Sequence, residues 1–172
     1  MNYKNQEFDS KTFQNINFSG SSFENSSFID CVFENCNLSN VHFNNVRIQN
    51  VLFKNCKILG VNFSKCNKFL INFNFNESNI SMSVFSDLDL KGIKFNNCRI
   101  SDCDFFNTNL IHAKFNDSDL KGTRFQNANL SFASFETAKN YSIDPNQNIL
   151  KKTKFSIPEV IGLLDVLDIK IK

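Results

Sequence analysis

The six cysteines are the residues of this chain whose chemistry could hold a metal ion or form disulfides. Each stands at the same point of a five-residue repeat, a position that Val, Ser, Ala or Thr fills elsewhere. Because a free cysteine packs as a small hydrophobe, the pattern predicts six buried packing thiols, with no metal and no disulfide. The cysteines are Cys31, Cys36, Cys56, Cys66, Cys98 and Cys103.

The two histidines are the other candidates for acid–base or metal chemistry. His42 and His112 fall at outward positions of the repeat, and neither has an evident partner in the sequence. The chain also lacks a nucleophile–base arrangement, a phosphate-binding loop and a cluster with metal-ligand spacing. We therefore expect a protein that is not an enzyme, holds no cofactor or metal, and acts by binding.

Charge and hydropathy narrow the kinds of partner. The formal net charge of +2 does not force nucleic-acid binding, and no apolar stretch approaches the length of a membrane span. Residues 1–10 lack the apolar segment of a signal peptide. We expect a cytoplasmic protein with a protein partner and no direct contact with nucleic acid or membrane, a location that suits reduced thiols.

The elements that position these residues follow a period of five. Almost every fifth residue from Phe8 to Phe135 is Phe, Leu or Ile, and a small or β-branched residue usually stands two positions before it. Neither a coiled coil nor an alternating strand has this period. A period of five fits a chain that turns a corner every five residues and winds into a tube. Its coils would stack about 4.8 Å apart.

Residues 8–135 closely resemble the pentapeptide-repeat family. Asn109-Leu110, Asp119-Leu120 and Ala128-Asn129-Leu130 match the family's most typical repeat. The resemblance implies an all-β fold, a right-handed quadrilateral β-helix with four repeats in each coil. We assign residues 1–137 to this β-helix and residues 138–172 to a C-terminal cap or dimerisation segment.

The order of the large residues predicts how the tube is filled. From Phe33 onward, Phe alternates with Leu or Ile at the fifth-residue position, so a four-sided coil places Phe on two opposite sides. Two facing Phe ladders flanked by aliphatic ladders would fill the interior to ordinary density. The expected core ladder is Phe33, Phe43, Phe53, Phe63, Phe85, Phe95, Phe105, Phe115, Phe125 and Phe135.

The repeat is interrupted near residues 64–79. Phe73 and Ile80 are seven residues apart, and Lys68 occupies a fifth-residue position. One interpretation has two extra residues bulging out near 74–79 while Lys68 turns outward. The other places the extra residues earlier and makes Leu70 and Phe75 the inward residues.

The interruption and one side of the tube supply a candidate partner surface. Exposed apolar residues aligned along a soluble protein are uncommon, although a repeat protein tolerates scattered ones. The candidate residues are Ile29, Phe69, Leu70, Phe75, Ile111 and Phe132.

The last thirty residues should close the tube. Ser156-Ile157-Pro158-Glu159 has capping-box spacing, a short amphipathic helix should follow, and residues 169–172 alternate like a strand. A solenoid end must be covered, and we favour coverage by a second copy, as relatives that pair through their C-termini imply. The candidate dimerisation residues are Val160, Leu163, Leu164, Leu167, Ile169 and Ile171.

Within the family, the chain resembles the members that bind bacterial type II topoisomerases. Residues 59–63, 90–95 and 140–145 look similar to theirs, as does the end of the chain. This resemblance implies a protein that binds DNA gyrase and protects it from quinolones or peptide toxins by imitating DNA. The alternative is a structural or interaction module for another protein partner. Residues 1–137 carry thirteen basic and thirteen acidic side chains, so their net charge is zero. The tube therefore has the width of duplex DNA but not its negative charge.

Overall fold

The protein is a parallel β-helix in which each coil of the chain stacks on the coil before it. The computed structural model describes residues 3–167 and 169–170. The strands are β1 (Glu7–Asp9), β2 (Thr12–Gln14), β3 (Ser27–Ile29), β4 (Val32–Glu34), β5 (Arg47–Gln49), β6 (Val51–Lys54), β7 (Lys57–Leu59), β8 (Phe73–Asn76), β9 (Asn79–Ser81), β10 (Phe95–Asn96) and β11 (Arg99–Ser101). Short 3₁₀ turns span Phe63–Lys65, Glu159–Leu163 and Asp165–Leu167.

The strands form three parallel sheets, in the orders β1-β3-β5, β2-β4-β6-β8-β10 and β7-β9-β11. Phe13 pairs with Phe33 and Phe33 with Phe53, so one coil takes twenty residues, or four repeats. Beyond β11 the coils continue through single bridges such as Lys114 to Ser134. This pairing confirms the predicted four-sided β-helix.

The corners are made by residues with a left-handed backbone. Asn15, Asn35 and Asn55 have φ values of 58°, 55° and 49°, a region that Asn tolerates better than most residues. Their side chains also link the coils, because Asn55 Nδ2 donates to Asn35 Oδ1 at 2.6 Å. The corner residues therefore both bend the chain and tie one coil to the next.

Two ladders of Phe fill the tube from opposite sides. Phe85 and Phe105 are stacked within one ladder, with ring centroids 4.8 Å apart and an interplanar angle of 5°. Phe95 of the other ladder meets Phe105 edge to face, at 5.9 Å and 88°. Offset stacking along the tube and edge contacts across it are both favourable aromatic geometries. The expected core-ladder residues all lie in this buried interior.

The interruption lies earlier than the bulge expected at 74–79. Those residues belong largely to β8 and β9, and Phe75 is the buried partner of Phe53. Leu70 is not an inward residue, because 56% of it is exposed, and Lys68 is exposed as well. Phe73 pairs with Val51 at the position normally held by a small residue. Its ring stacks on Phe63 at 5.2 Å and fills the space that Lys68 leaves.

The six thiols lie in the core, and four of them, those of Cys31, Cys36, Cys56 and Cys103, donate to a carbonyl oxygen of the preceding coil. All six cysteines are free and buried. Cys56 Sγ donates to the carbonyl oxygen of Phe33 at 3.3 Å, and Ser78 Oγ makes the equivalent bond to Phe53 at 3.2 Å. Serine and cysteine are therefore interchangeable in this column, which is why both types occur at one position of the repeat.

Burial changes the acidity of these thiols. Burial raises the pKa of Cys98 to about 11 and that of Cys103 to about 12, and it also raises the pKa of Cys66. The pKa of Cys56 is raised by its hydrogen bond with the Cys36 thiol and by burial. The folded protein thus keeps these thiols protonated at pH values where an unfolded chain would ionise them.

The stacked Phe rings should dominate stability. Replacing Phe105 by Ala removes a fully buried ring from the ladder, and we expect a loss of about 3 to 5 kcal/mol in the free energy of unfolding. Phe106→Ala is the matched control, because 40% of Phe106 is exposed and its loss should change stability by about 0.5 kcal/mol. Urea denaturation followed by circular dichroism measures both, and equal losses would contradict the buried ladder.

The raised thiol pKa values predict an alkaline loss of stability. Stability should be full below pH about 8.5, where the unfolded thiols are protonated, and should fall as the pH rises toward the folded values. Cys98 and Cys103 should then each contribute a loss of about 2 kcal/mol at pH 10. The double variant Cys98→Ser, Cys103→Thr should lose less stability between pH 7 and 10, because it lacks these two thiols. It should still fold, because Ser118 and Thr123 hold the equivalent positions in the next coil. An identical loss in wild type and variant would disprove this origin.

Candidate binding surfaces

The histidines and cysteines do not converge on a reactive centre. Within residues 3–167 and 169–170, no group of three or more His, Cys, Asp or Glu is arranged to hold a metal ion. His42 is exposed, and His112 is exposed and stacks on Phe132. No helix in the described part of the chain is both long and apolar enough to cross a membrane.

The interrupted coil places two large apolar side chains in solvent. Phe69 is 70% exposed and Leu70 is 56% exposed. The backbone holds them there, because the Phe69 N–H donates to Asn67 Oδ1 at 2.9 Å and Leu70 has a φ of 53°. A branched residue such as Leu rarely adopts this left-handed conformation, so the segment presents Leu70 at some cost in backbone energy. Phe69 and Leu70 are hereafter called the apolar apex.

The other members of the candidate partner surface do not join the apolar apex. The expectation that Phe75 lies on the surface is wrong, because the two-residue insertion precedes it and its ring is fully buried. Ile29 and Ile111 are half-buried. Polar residues lie between Ile29 and Ile111 on this side of the rod. Gln49, for example, is the direct pairing partner of Ile29 in the next coil. Phe132 is 39% exposed but stacks on His112.

The C-terminal segment first extends the coil, since Ile149 and Lys154 pair with Asn129 and Ser134, and its remainder folds over the end of the rod. Tyr141 and Ile143 are buried, and the Tyr141 ring lies 5.4 Å from Phe135. Burial raises the Tyr141 pKa to about 12. The Ile143 N–H donates to the Gly162 carbonyl oxygen at 3.3 Å, and Gly162 lies so close to the Tyr141 backbone that a side chain would not fit. The segment is thus a cap that covers the end of the Phe ladders.

The cap differs locally from the sequence expectation. The predicted helix is present as two 3₁₀ turns, and Pro158, rather than Ser156, precedes the first without a side-chain capping bond. Residues 169–170 are not in a strand, and Ile171 and Lys172 lie outside the described residues. Proline and the close approach of Gly162 to Tyr141 favour this tighter turn over a regular helix.

The outer side of the cap is apolar. Val160 and Leu163 are half-buried, and Leu163 packs on the core, so these two candidate dimerisation residues contribute to the cap. Leu164, Leu167 and Ile169 are 39%, 52% and 55% exposed. The sequence reasoning missed three further exposed residues of this segment, which lie outside the i, i+3, i+4 pattern used to find the others. They are Ile157, Ile161 and Val166.

Charges of opposite sign alternate along several sides of the rod. Asp104 accepts from Arg124 at 2.8 Å in the next coil, and Lys54 donates to Glu34 at 2.8 Å. A third column runs from Arg99 to Asp119 and on to Lys139. Such exposed pairs contribute little to stability, but they neutralise the acidic residues along these columns. In these columns the rod does not present the continuous negative strip of duplex DNA.

Comparisons with known proteins agree with this geometry. The sequence model for the pentapeptide repeat region matches residues 26–68 and 67–135. No curated protein sequence matches the chain at a significant level.

Two solved structures are similar to this chain, and the first of them supports the likeness in fold. A trypsin-treated form of QnrB1, a plasmid-mediated fluoroquinolone resistance protein, is 18% identical with a TM-score of 0.51, over 100% of this chain and 98% of that one. HetL, a pentapeptide repeat protein involved in heterocyst differentiation regulation in a Nostoc cyanobacterium, is 12% identical with a TM-score of 0.38, over 90% and 88% of the two chains.

The family match covers more than half of the chain, and it coincides with the stacked coils seen in the structure. Each coil contains four repeats, and Phe, Leu or Ile points inward from nearly every repeat. Residues with a left-handed backbone form the corners. The chain therefore belongs to the pentapeptide-repeat family.

Proposed function

We propose that the chain is a non-enzymatic binding protein that docks on a bacterial type II topoisomerase, DNA gyrase above all, and protects it from inhibitors. The observation that carries the proposal is the apolar apex. In a chain whose repeat otherwise places mostly polar residues outward, Phe69 and Leu70 are held in solvent midway along the rod. Exposed apolar side chains of this kind serve as anchors in protein interfaces.

Two further observations support this class of partner. The chain aligns over nearly the full length of QnrB1, whose own role is fluoroquinolone resistance. The gyrase-binding members of the family also resemble this chain in the residues that flank the apolar apex and in its C-terminal segment. Because opposite charges alternate along its sides, the rod would dock through the shape of the tube and the apolar apex rather than through the charge pattern of DNA.

We also propose that two copies join through the outer side of the cap. The exposed Leu164, Leu167 and Ile169 lie beyond the end of the Phe ladders, together with the more exposed Ile157. Apolar residues concentrated at one end of a rod suit a two-fold contact, because the same patch can bury itself on both copies. Such a dimer would double the length of the rod available to a partner.

Gyrase protection is the direct test of the proposed function. Purified protein should restore supercoiling by DNA gyrase in the presence of ciprofloxacin. The double variant Phe69→Ser, Leu70→Asn should bind gyrase about thirtyfold more weakly, since interface anchors contribute about 2 kcal/mol. Asn suits the positive φ at position 70, so the rod should remain folded.

Phe106→Ser is the matched control for this assay, because Phe106 is an exposed Phe in a regular coil. It should protect gyrase as well as the wild type does. If the wild-type protein neither restores supercoiling nor binds gyrase, the proposal is wrong. If it binds another protein through the apolar apex instead, the chain is an interaction module for that partner.

The dimer can be tested by light scattering coupled to size-exclusion chromatography. The wild-type mass should correspond to two chains, and the variant Leu164→Asp, Leu167→Asp should elute as one chain with an unchanged circular dichroism spectrum. Ile149→Asp is the control, because Ile149 is 57% exposed but lies in a bridge on the side of the rod. A monomeric wild type, or a variant that stays dimeric, would rule out this interface.

A further inference from the structure

One corner of the rod carries residues that the corner conformation disfavours. At the left-handed positions of most coils the chain uses Asn, Asp or Gly, but in the last coils of this corner it uses His112, Phe132 and Lys152. Their φ values are 60°, 60° and 56°. Large side chains rarely adopt this region, and a strained position that persists in a fold points to a function.

The two aromatic rings at this corner form a short stack that is open at one end. The His112 and Phe132 rings are 5.0 Å apart with an interplanar angle of 23°. Lys152 Nζ lies 5.8 Å from the centre of the Phe132 ring and covers that end. At the other end, the next coil carries Gly92, and a side-chain carbon added there would meet no atom within 4 Å. The stack therefore ends in a slot of open space beside His112, where the corner of the next coil carries no side chain.

Lysines line the column of residues next to this stack. Lys94 and Lys114 are bridge partners on adjacent coils, and neither forms an ion pair within the described part of the chain. Like charges placed opposite each other in paired strands repel. Ser134 follows Lys114 in the column and Lys154 follows Ser134, so the small serine leaves a gap between two ammonium groups.

Gly92 and Lys94 lie on the coil next to a groove that is lined by both rings and by three lysines. It has a volume of about 480 Å³, and Lys154 lies 3.8 Å from Glu136 at its edge. The groove is lined by His112, Lys114, Asn116, Phe132, Ser134, Glu136, Lys152 and Lys154. Three of its eight lining residues are Lys and only one is acidic, so the groove is locally positive on a rod with little net charge.

We propose that this groove and the adjoining corner at Gly92 together bind nucleotide units of single-stranded nucleic acid. A base would stack on His112 beside Gly92, and phosphate groups would be held by Lys114 and Lys154 in the groove and by Lys94 on the next coil. Aromatic platforms beside a cationic groove are how proteins bind single strands without reading sequence. An acidic peptide would use the lysines but not the open ring face of His112. This proposal departs from the expectation drawn from net charge, because net charge averages over the whole surface and a groove does not.

Fluorescence anisotropy with a labelled twelve-nucleotide dA oligonucleotide tests the proposal. The oligonucleotide should bind, and its affinity should fall as the salt concentration rises, since phosphate contacts release counterions. Adenosine monophosphate is the second probe. Competition by it would show that a single nucleotide suffices, and its failure to compete would show that the strand is needed. Absence of oligonucleotide binding, or equal competition by polyglutamate, would overturn the proposal.

The variant His112→Asn removes the imidazole ring and should leave the fold intact. Asn is the usual residue at these corners, so the melting temperature should stay the same or rise. Oligonucleotide affinity should nevertheless fall about tenfold, because base–aromatic stacking is lost. Gly92→Asn should have a similar effect, because its side chain would fill the slot and Asn50 already forms a corner in an earlier coil.

Two matched controls complete the experiment. His42→Asn removes an exposed imidazole elsewhere on the rod, and Lys121→Gln removes an exposed lysine from another side. Both should bind the oligonucleotide like the wild type, whereas Lys114→Gln should weaken binding. Wild-type affinity in His112→Asn, or equal losses in Lys114→Gln and Lys121→Gln, would overturn the proposal. Gyrase protection should be unchanged in His112→Asn, which keeps this result separate from the test of the proposed function.

Discussion

The stacking of equivalent side chains on successive coils is the interaction on which this structure depends. Backbone hydrogen bonds between coils set a spacing that aromatic rings also prefer, and Phe75 and Phe95 accordingly lie 5.1 Å apart and nearly parallel. The backbone and the core therefore reinforce each other at every coil. The same stacking extends to the corner Asn side chains and to the column that Ser and Cys share.

The regular rod leaves limited freedom for function. Residues that point inward are fixed by the ladders, and corner residues are restricted by their left-handed backbone. Function must then come from outward residues, from the ends, or from places where the repeat fails. The aromatic corner at His112 consists of outward residues, and the outer side of the cap lies at an end. The apolar apex lies where the repeat fails. In each of them the chain departs from the residue type that the repeat alone would favour.

The interruption shows how the tube tolerates an error. Two extra residues enter the chain and Lys68 turns outward, which removes one large side chain from the interior. Phe73 fills the space from a position that usually holds a small residue, and Phe75 restores the ladder in the same strand. Packing is thereby repaired within a few residues, while Phe69 and Leu70 are left in solvent. The repair of the core and the exposure of the apolar apex are two consequences of one insertion.

The sequence by itself determined a tube with an apolar core and the inward position of the cysteines, because a strict period leaves one way to bury an apolar residue in every five. The four sides of each coil followed from the resemblance to the pentapeptide-repeat family. It could not place the insertion, since Lys68, Leu70, Phe73 and Phe75 allow several registers until packing density selects one. The spacing of twenty residues places Gly92, His112 and Phe132 on one corner, but it could not show that the two rings stack at 5.0 Å or that the space beside Gly92 is open. Only the tertiary structure decided which outward side chains touch and which stay exposed, for that depends on packing between coils and on where the insertion falls, rather than on the repeat within one coil.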